Sequence, residues 1–163
     1  MAERLSIPAG PSACAQAASS KEAAYRIDYT LAAARNTRVV ALDDSAEQIV
    51  RDAAAQSWGQ ARFYTATDPG HELLSMEGQP VLLADELEDS NTVILVSVTG
   101  ENAKAVTTIG ATCKERGIMT AALVVTPEAL TSAALFNLRS HARVLLLPAD
   151  ADDLVELLKA TRA

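Results

Sequence analysis

The sequence predicts an α/β fold, a three-layer, doubly wound, mainly parallel five-stranded sheet of Rossmann-like type. Short strand candidates alternate with helical patterns along the chain, and most of those strands read as continuous apolar runs. Continuous runs mark strands buried on both faces, which is the condition of a parallel sheet covered by helices. Right-handed crossovers then wind the helices onto both faces. Composition agrees: 163 residues suit one domain with a substantial core, 49% are hydrophobic, and only 4% are aromatic. Such a core must be built from Val, Leu, Ile and Ala, which lets helices pack closely on a sheet.

The elements follow in order. Residues 1–18 contain Pro8, Gly10 and Pro11 and read as a flexible N-terminal arm, with a single α/β domain over 19–163. Ser19 and Glu22 form a capping-box pattern, and Ala23, Ile27, Leu31 and Ala34 recur at helical spacing, so a helix is expected over about 20–35. Arg38 to Leu42 gives the first strand. Ser45 and Gln48 give a second capping-box pattern, opening a helix that ends near Gly59. "ARFYTATD" is the second strand. In the connection that follows, "HELLSM" reads as a turn or two of helix, and "PVLLADELED" stays open between strand and helix. "NTVILVSV" is the third strand. A helix is expected over 102–116, with Ala103, Val106, Ile109 and Cys113 inward and Gly117 ending it. "MTAALVVT" is the fourth strand, and Thr126 caps a helix with Pro127 at its first position. "ARVLLLPA" is the last strand, and Asp150 or Asp152 starts the terminal helix.

Charge and composition remove several function classes. The formal net charge is −7, and no run of Lys and Arg offsets it. That field disfavours nucleic acid and anionic membrane surfaces as partners. No apolar run approaches membrane-spanning length, and the N-terminus lacks a signal-like apolar segment, so a cytoplasmic location is expected. Cys14 and Cys113 have no metal-like spacing, and Cys113 reads as a small apolar residue. His71 and His141 have no motif partner, so no metal site and no catalytic set is assigned. Trp58 reads as an anchor for the helix before it or for an interface. Asp85, Glu86, Glu88 and Asp89 read as an exposed acidic turn.

In a doubly wound sheet, ligands bind beyond the carboxyl ends of the strands. The expected floor is therefore Asp43 to Ser45, Thr67 to Pro69, Ser97 to Asn102, and Thr126. Within it, Ser97-Val98-Thr99-Gly100-Glu101-Asn102 places hydroxyls, an amide and a glycine at a helix start. Free amides and the helix dipole there can hold a phosphate or carboxylate. The bland alternative is a tight turn whose Thr99 or Asn102 caps the helix. Asp43 and Asp44 suit either Mg²⁺ with a phosphate or a solvated helix cap, and Asp68 either a ribose-binding acid or a turn residue before Pro69.

"ILVSVTGENAKA" resembles the phosphosugar-binding loop of SIS (sugar isomerase) domains, a strand followed by Ser-x-Ser-Gly-x-Thr. Ser97, Thr99, Gly100 and Asn102 fall on its four positions. That resemblance implies a binding or regulatory domain, non-catalytic, for a small phosphorylated or anionic metabolite held by Ser45, Ser97, Thr99, Gly100, Glu101 and Asn102. It also implies pairing into a homodimer or higher homo-oligomer. A phosphosugar isomerase or lyase with altered loops and a ligand-free structural subunit of a larger complex are the alternatives. The family's first loop, Gly-x-Gly-x-Ser, is met here by Ala41-Leu42-Asp43-Asp44-Ser45, in which Ser45 fits and both glycines are absent. Each carboxylate facing a phosphate at about 4 Å costs about 4 kcal/mol at an effective dielectric near 20. A weaker resemblance, through "ARFYTATD" and "VILVSVTG", is to the nucleotide half of bacterial tubulin-like GTPases, again without the glycine-rich loops.

Overall fold

The computed structural model describes residues 34–163; the arm and nearly all of the first expected helix lie outside the described residues. The elements are β1 (Thr37–Ala41), α1 (Asp44–Ala54), β2 (Ala61–Ala66), β3 (Glu72–Ser75), β4 (Pro80–Leu82), α2 (Leu83–Glu86), β5 (Thr92–Ser97), α3 (Ala103–Glu115), β6 (Met119–Val124), a 3₁₀ turn (Pro127–Ala129), α4 (Ser132–His141), β7 (Val144–Leu146) and α5 (Ala151–Ala160).

They form one seven-stranded sheet in the order β4-β3-β2-β1-β5-β6-β7. The five expected strands are parallel to one another, with Val40 level with Tyr64 and Leu95, and Leu95 level with Ala122. The two additional strands, β3 and β4, are antiparallel and extend the sheet past β2. "HELLSM" is thus strand rather than helix: Leu73 is buried while its neighbours Glu72 and Leu74 are exposed, a period of two. "PVLLADELED" is both, a short strand running into one turn of helix.

Side-chain alternation along the central strands builds two cores. Val39, Ala41, Ile94, Val96, Ala121 and Leu123 pack on Ala46, Val50 and Ala53 of α1 and Leu154 and Leu158 of α5. Val40, Leu42, Val93, Leu95, Ala122 and Val124 pack on Leu83 of α2, Ala105, Val106, Ile109 and Cys113 of α3, and Leu138 of α4. Three layers result. Ala103 does not face inward, because α3 begins there and its first residue projects to solvent. The helix expected at Pro127 is only a 3₁₀ turn; α4 starts at Ser132, where the Thr131 side chain accepts from the Ala134 amide. Trp58 does anchor α1, its Nε1 donating to the Ala53 carbonyl at 2.8 Å. Asp150 caps α5 in a reciprocal box with Asp153.

Candidate functional site

Counting only the parallel strands, the order is 2-1-3-4-5, the flavodoxin-like arrangement whose switch point lies between the first and third. Here those are β1 and β5. Asp43 follows β1 and the Ser97–Asn102 turn follows β5, so the expected ligand crevice lies between them.

That crevice is closed by a side chain. Asp43 is only 3% exposed. Its Oδ1 accepts from the Ala46 amide at 2.9 Å, which caps α1. Its Oδ2 accepts from the Ser97 hydroxyl at 3.0 Å, the Val98 amide at 2.9 Å and the Thr99 amide at 3.1 Å. Ser97, with its proton committed to Asp43, accepts from the Gly100 amide at 3.1 Å. The expected solvated cap is therefore a buried one, and the cap of α1 is Asp43 rather than Ser45. The reason is reach: an extended residue two positions after β1 can bond the first turn of α1 and the β5 turn together.

Asn102 completes the closure from the other side. It holds a left-handed backbone (φ 60) and donates its side-chain amide to the Leu42 carbonyl. Gly100 has φ +78, and a Cβ there would meet Leu130 Cγ at 2.7 Å and Ala134 Cβ at 3.3 Å. Backbone conformation and packing alone thus require glycine. Of the expected residues, Asp43, Ser97, Thr99, Gly100 and Asn102 are brought together. Asp44, Ser45 and Glu101 are exposed nearby. Asp68 is exposed too, 3.9 Å from Lys104, and Thr126 is exposed beyond β6.

Beside Gly100 a groove of about 600 Å³ runs between α3 and α4. Pro69, Lys104, Thr108, Thr131, Ala134 and Asn137 are among the residues lining it. Asn137 crosses its floor, donating to the Ala103 carbonyl at 2.9 Å.

The sequence reading missed a second polar centre on the α2 side of the sheet. Arg38, 2% exposed, donates to the Glu86 carbonyl at 3.1 Å and pairs with the Asp89 carboxylate at 2.8 Å and the Glu86 carboxylate at 3.3 Å. Tyr64 also donates to the Glu86 carboxylate, and Arg62 stands 3.4 Å from it. Burial first, then this bond to Glu86, raises the Tyr64 phenol well above its ordinary range. Glu86 is consequently no part of an exposed acidic turn; it pins α2 to β1 and β2. The available signal was Arg38 itself, a charge inside an apolar strand, which demands a partner. Burial likewise raises the Cys113 thiol.

Among the described residues, no group of His, Cys, Asp and Glu is arranged to hold a metal ion, and no helix is long and apolar enough to cross a membrane. No family model matches the sequence, and no curated protein matches it. The solved structures that are similar include two pilus-related proteins. One, provisionally named a pilus assembly-related protein of Burkholderia pseudomallei K96243, is 18% identical with a TM-score of 0.43, over 77% of this chain and 88% of that one. The other, provisionally named a pilus assembly protein of Burkholderia thailandensis E264, is 16% identical with a TM-score of 0.44, over 77% of this chain and 96% of that one. The strand order and register described above define the fold.

Proposed function

We propose that this chain is a non-catalytic α/β domain that works by contact with other proteins or with a second copy of itself, the ligand-free structural subunit among the readings above. The Asp43 carboxylate carries the proposal. It occupies the Val98 and Thr99 amides that a phosphate-binding turn would offer to a ligand. An incoming phosphate would have to displace a carboxylate with four donors, or sit against it at about 4 kcal/mol for charges about 4 Å apart. On this reading the SIS-like turn keeps its outline and supplies its own anion.

The groove beside Gly100 favours a second reading, the SIS-like binding of a small anionic metabolite outside the turn. Its 600 Å³ lies within the range of about 300–1,000 Å³ typical of ligand pockets, and Lys104 stands at its wall.

Backbone amide resonances of the labelled protein, titrated with a hexose phosphate and a nucleoside triphosphate, separate these. The first reading expects no saturating shift between Ser97 and Asn102. A saturating shift at Ser97 to Gly100 would overturn it. Saturation confined to the α3 and α4 residues of the groove would establish the second reading in its place.

A further inference from the structure

A different pocket lies at the amino end of the sheet, opposite the crevice, where α3 and α4 end and β6 and β7 begin. Its volume is about 220 Å³, and Gly110, Lys114, Thr120, Ser140, His141 and Arg143 are among the residues that line it. We propose that this pocket binds a small phosphate-type oxyanion.

Three observations support the assignment. The first is charge. Lys114 and Arg143 line the pocket, and among the described residues neither has a carboxylate partner within ion-pair distance. Two helix C-termini oppose them with about −0.5 charge each, so two full cations leave about +1 in the pocket. Outside the lining, Glu115 ends α3, Arg116 follows it with its guanidinium on the Ala84 carbonyl at 2.8 Å, and Arg139 lies in the last turn of α4. Several of the helix-end carbonyls are already satisfied, Leu138 by the Ala142 amide at 2.8 Å and Cys113 by the Ile118 amide at 2.8 Å. This basic spot stands out on a chain of net charge −7.

The second is construction. A Cβ on Gly110 would lie 2.4 Å from the His141 Cβ and 2.6 Å from its Nδ1. Glycine in mid-helix is what lets His141 pack directly against α3, where it lines the pocket together with Lys114 and Arg143. Gly110 has no turn or cap to serve there, and it sits inside α3 at a cost of about 1 kcal/mol relative to Ala.

The third is size. The pocket's volume of about 220 Å³ is many times what a single water needs. That accommodates a phosphate group and falls short of the roughly 300 Å³ at which drug-sized ligands begin. The oxyanion is thus free phosphate or the terminal phosphoryl group of a larger molecule that projects into solvent.

Amide resonances followed during titration with inorganic phosphate, at ionic strength held constant with sodium chloride, test the site. The expected result is saturable shifts at Gly117, Ile118, Ala142 and Arg143, with Thr99 and Gly100 unmoved. The Lys114→Gln/Arg143→Gln double variant replaces two exposed side chains, and its phosphate affinity should fall by at least about tenfold. Parallel arms with glycerol phosphate and acetate separate the sources. Tighter binding of glycerol phosphate identifies a phosphoryl group of a larger molecule; tighter binding of inorganic phosphate identifies the free ion. Linear, unsaturating shifts, an unchanged affinity in the double variant, or acetate binding as well as phosphate would each overturn the proposal. The readout lies at the opposite end of the sheet from Asp43, so its failure and that of the proposed function are distinguishable.

Discussion

Asp43→Ala should be among the most destabilising single substitutions at the surface-facing ends of the sheet. The carboxylate accepts four hydrogen bonds within a site 3% exposed. Losing the α1 cap costs about 1 kcal/mol. Three further donors, Ser97 Oγ and the Val98 and Thr99 amides, lose their acceptor, and each unsatisfied buried donor costs about 1–3 kcal/mol. Val98 is half-buried and Thr99 exposed, so water recovers part of that and the expected total is about 3–5 kcal/mol. With a urea m-value of about 2 kcal/mol/M, the unfolding midpoint should fall by roughly 2 M. Asp43→Asn keeps the shape but turns one acceptor into a donor, and should fall between wild type and Asp43→Ala. Urea melts followed by circular dichroism measure both. A loss below about 1 kcal/mol for Asp43→Ala would refute the reasoning, because it would mean that the four bonds do not hold the crevice shut.

Other perturbations probe the rest of the architecture. Arg38→Met removes a partner of Glu86, whose side chain is 14% exposed and keeps Tyr64 and Arg62, while the exposed Asp89 returns to water; it should cost about 3 kcal/mol in the same melts, whereas a neutral result would mean that the pair adds nothing to α2. Tyr64 has a raised folded-state pKa, so above about pH 10 the unfolded chain releases this proton first and stability falls as pH rises toward the folded value. Absorbance titration should therefore show a tyrosine phase that appears only as the fold is lost, and Tyr64→Phe should diminish that phase. Gly110→Ala should lower the melting temperature despite the better helix propensity of alanine, since overpacking against His141 costs about 1–3 kcal/mol and the propensity gain is about 1. A rise in melting temperature would show that His141 moves aside freely.

The parallel sheet was legible in the sequence because each central strand is a near-continuous apolar run, and a run such as "TVILVS" has few other ways to be buried. The hairpin of β3 and β4 was not, because Leu73-Leu74 is too short a segment for period two to be told from period 3.6. At the crevice, residue types alone placed Asp43 and the Ser97–Asn102 turn at the same edge. They left open whether the carboxylate faced solvent or the turn. That choice depends on β1 and β5 being adjacent, with Ala41 level with Val96, a long-range register that local patterns do not encode. Gly100 shows the same limit. A glycine at a strand-to-helix turn reads as room for a ligand, yet Leu130 and Ala134 fill the space a side chain would need. Gly100→Asp would therefore disturb packing whether or not anything binds, which makes it a poor probe of ligand binding. Arg38 was readable in principle: its charge within β1 announced a buried partner, and Glu86 and Asp89 lie about fifty residues on.

Residue-resolved hydrogen exchange at Val98 and Thr99 tests the central claim most directly. Neither amide belongs to a helix or strand ladder, and Thr99 is exposed, so without Asp43 both should exchange at close to the rate of an open turn. In the wild-type protein they should be protected to a degree comparable with neighbouring β5, and Asp43→Ala should abolish that protection while leaving Ile94 and Leu95 protected. Fast exchange at both amides in the wild type, or protection that survives Asp43→Ala, would contradict a crevice closed by its own carboxylate.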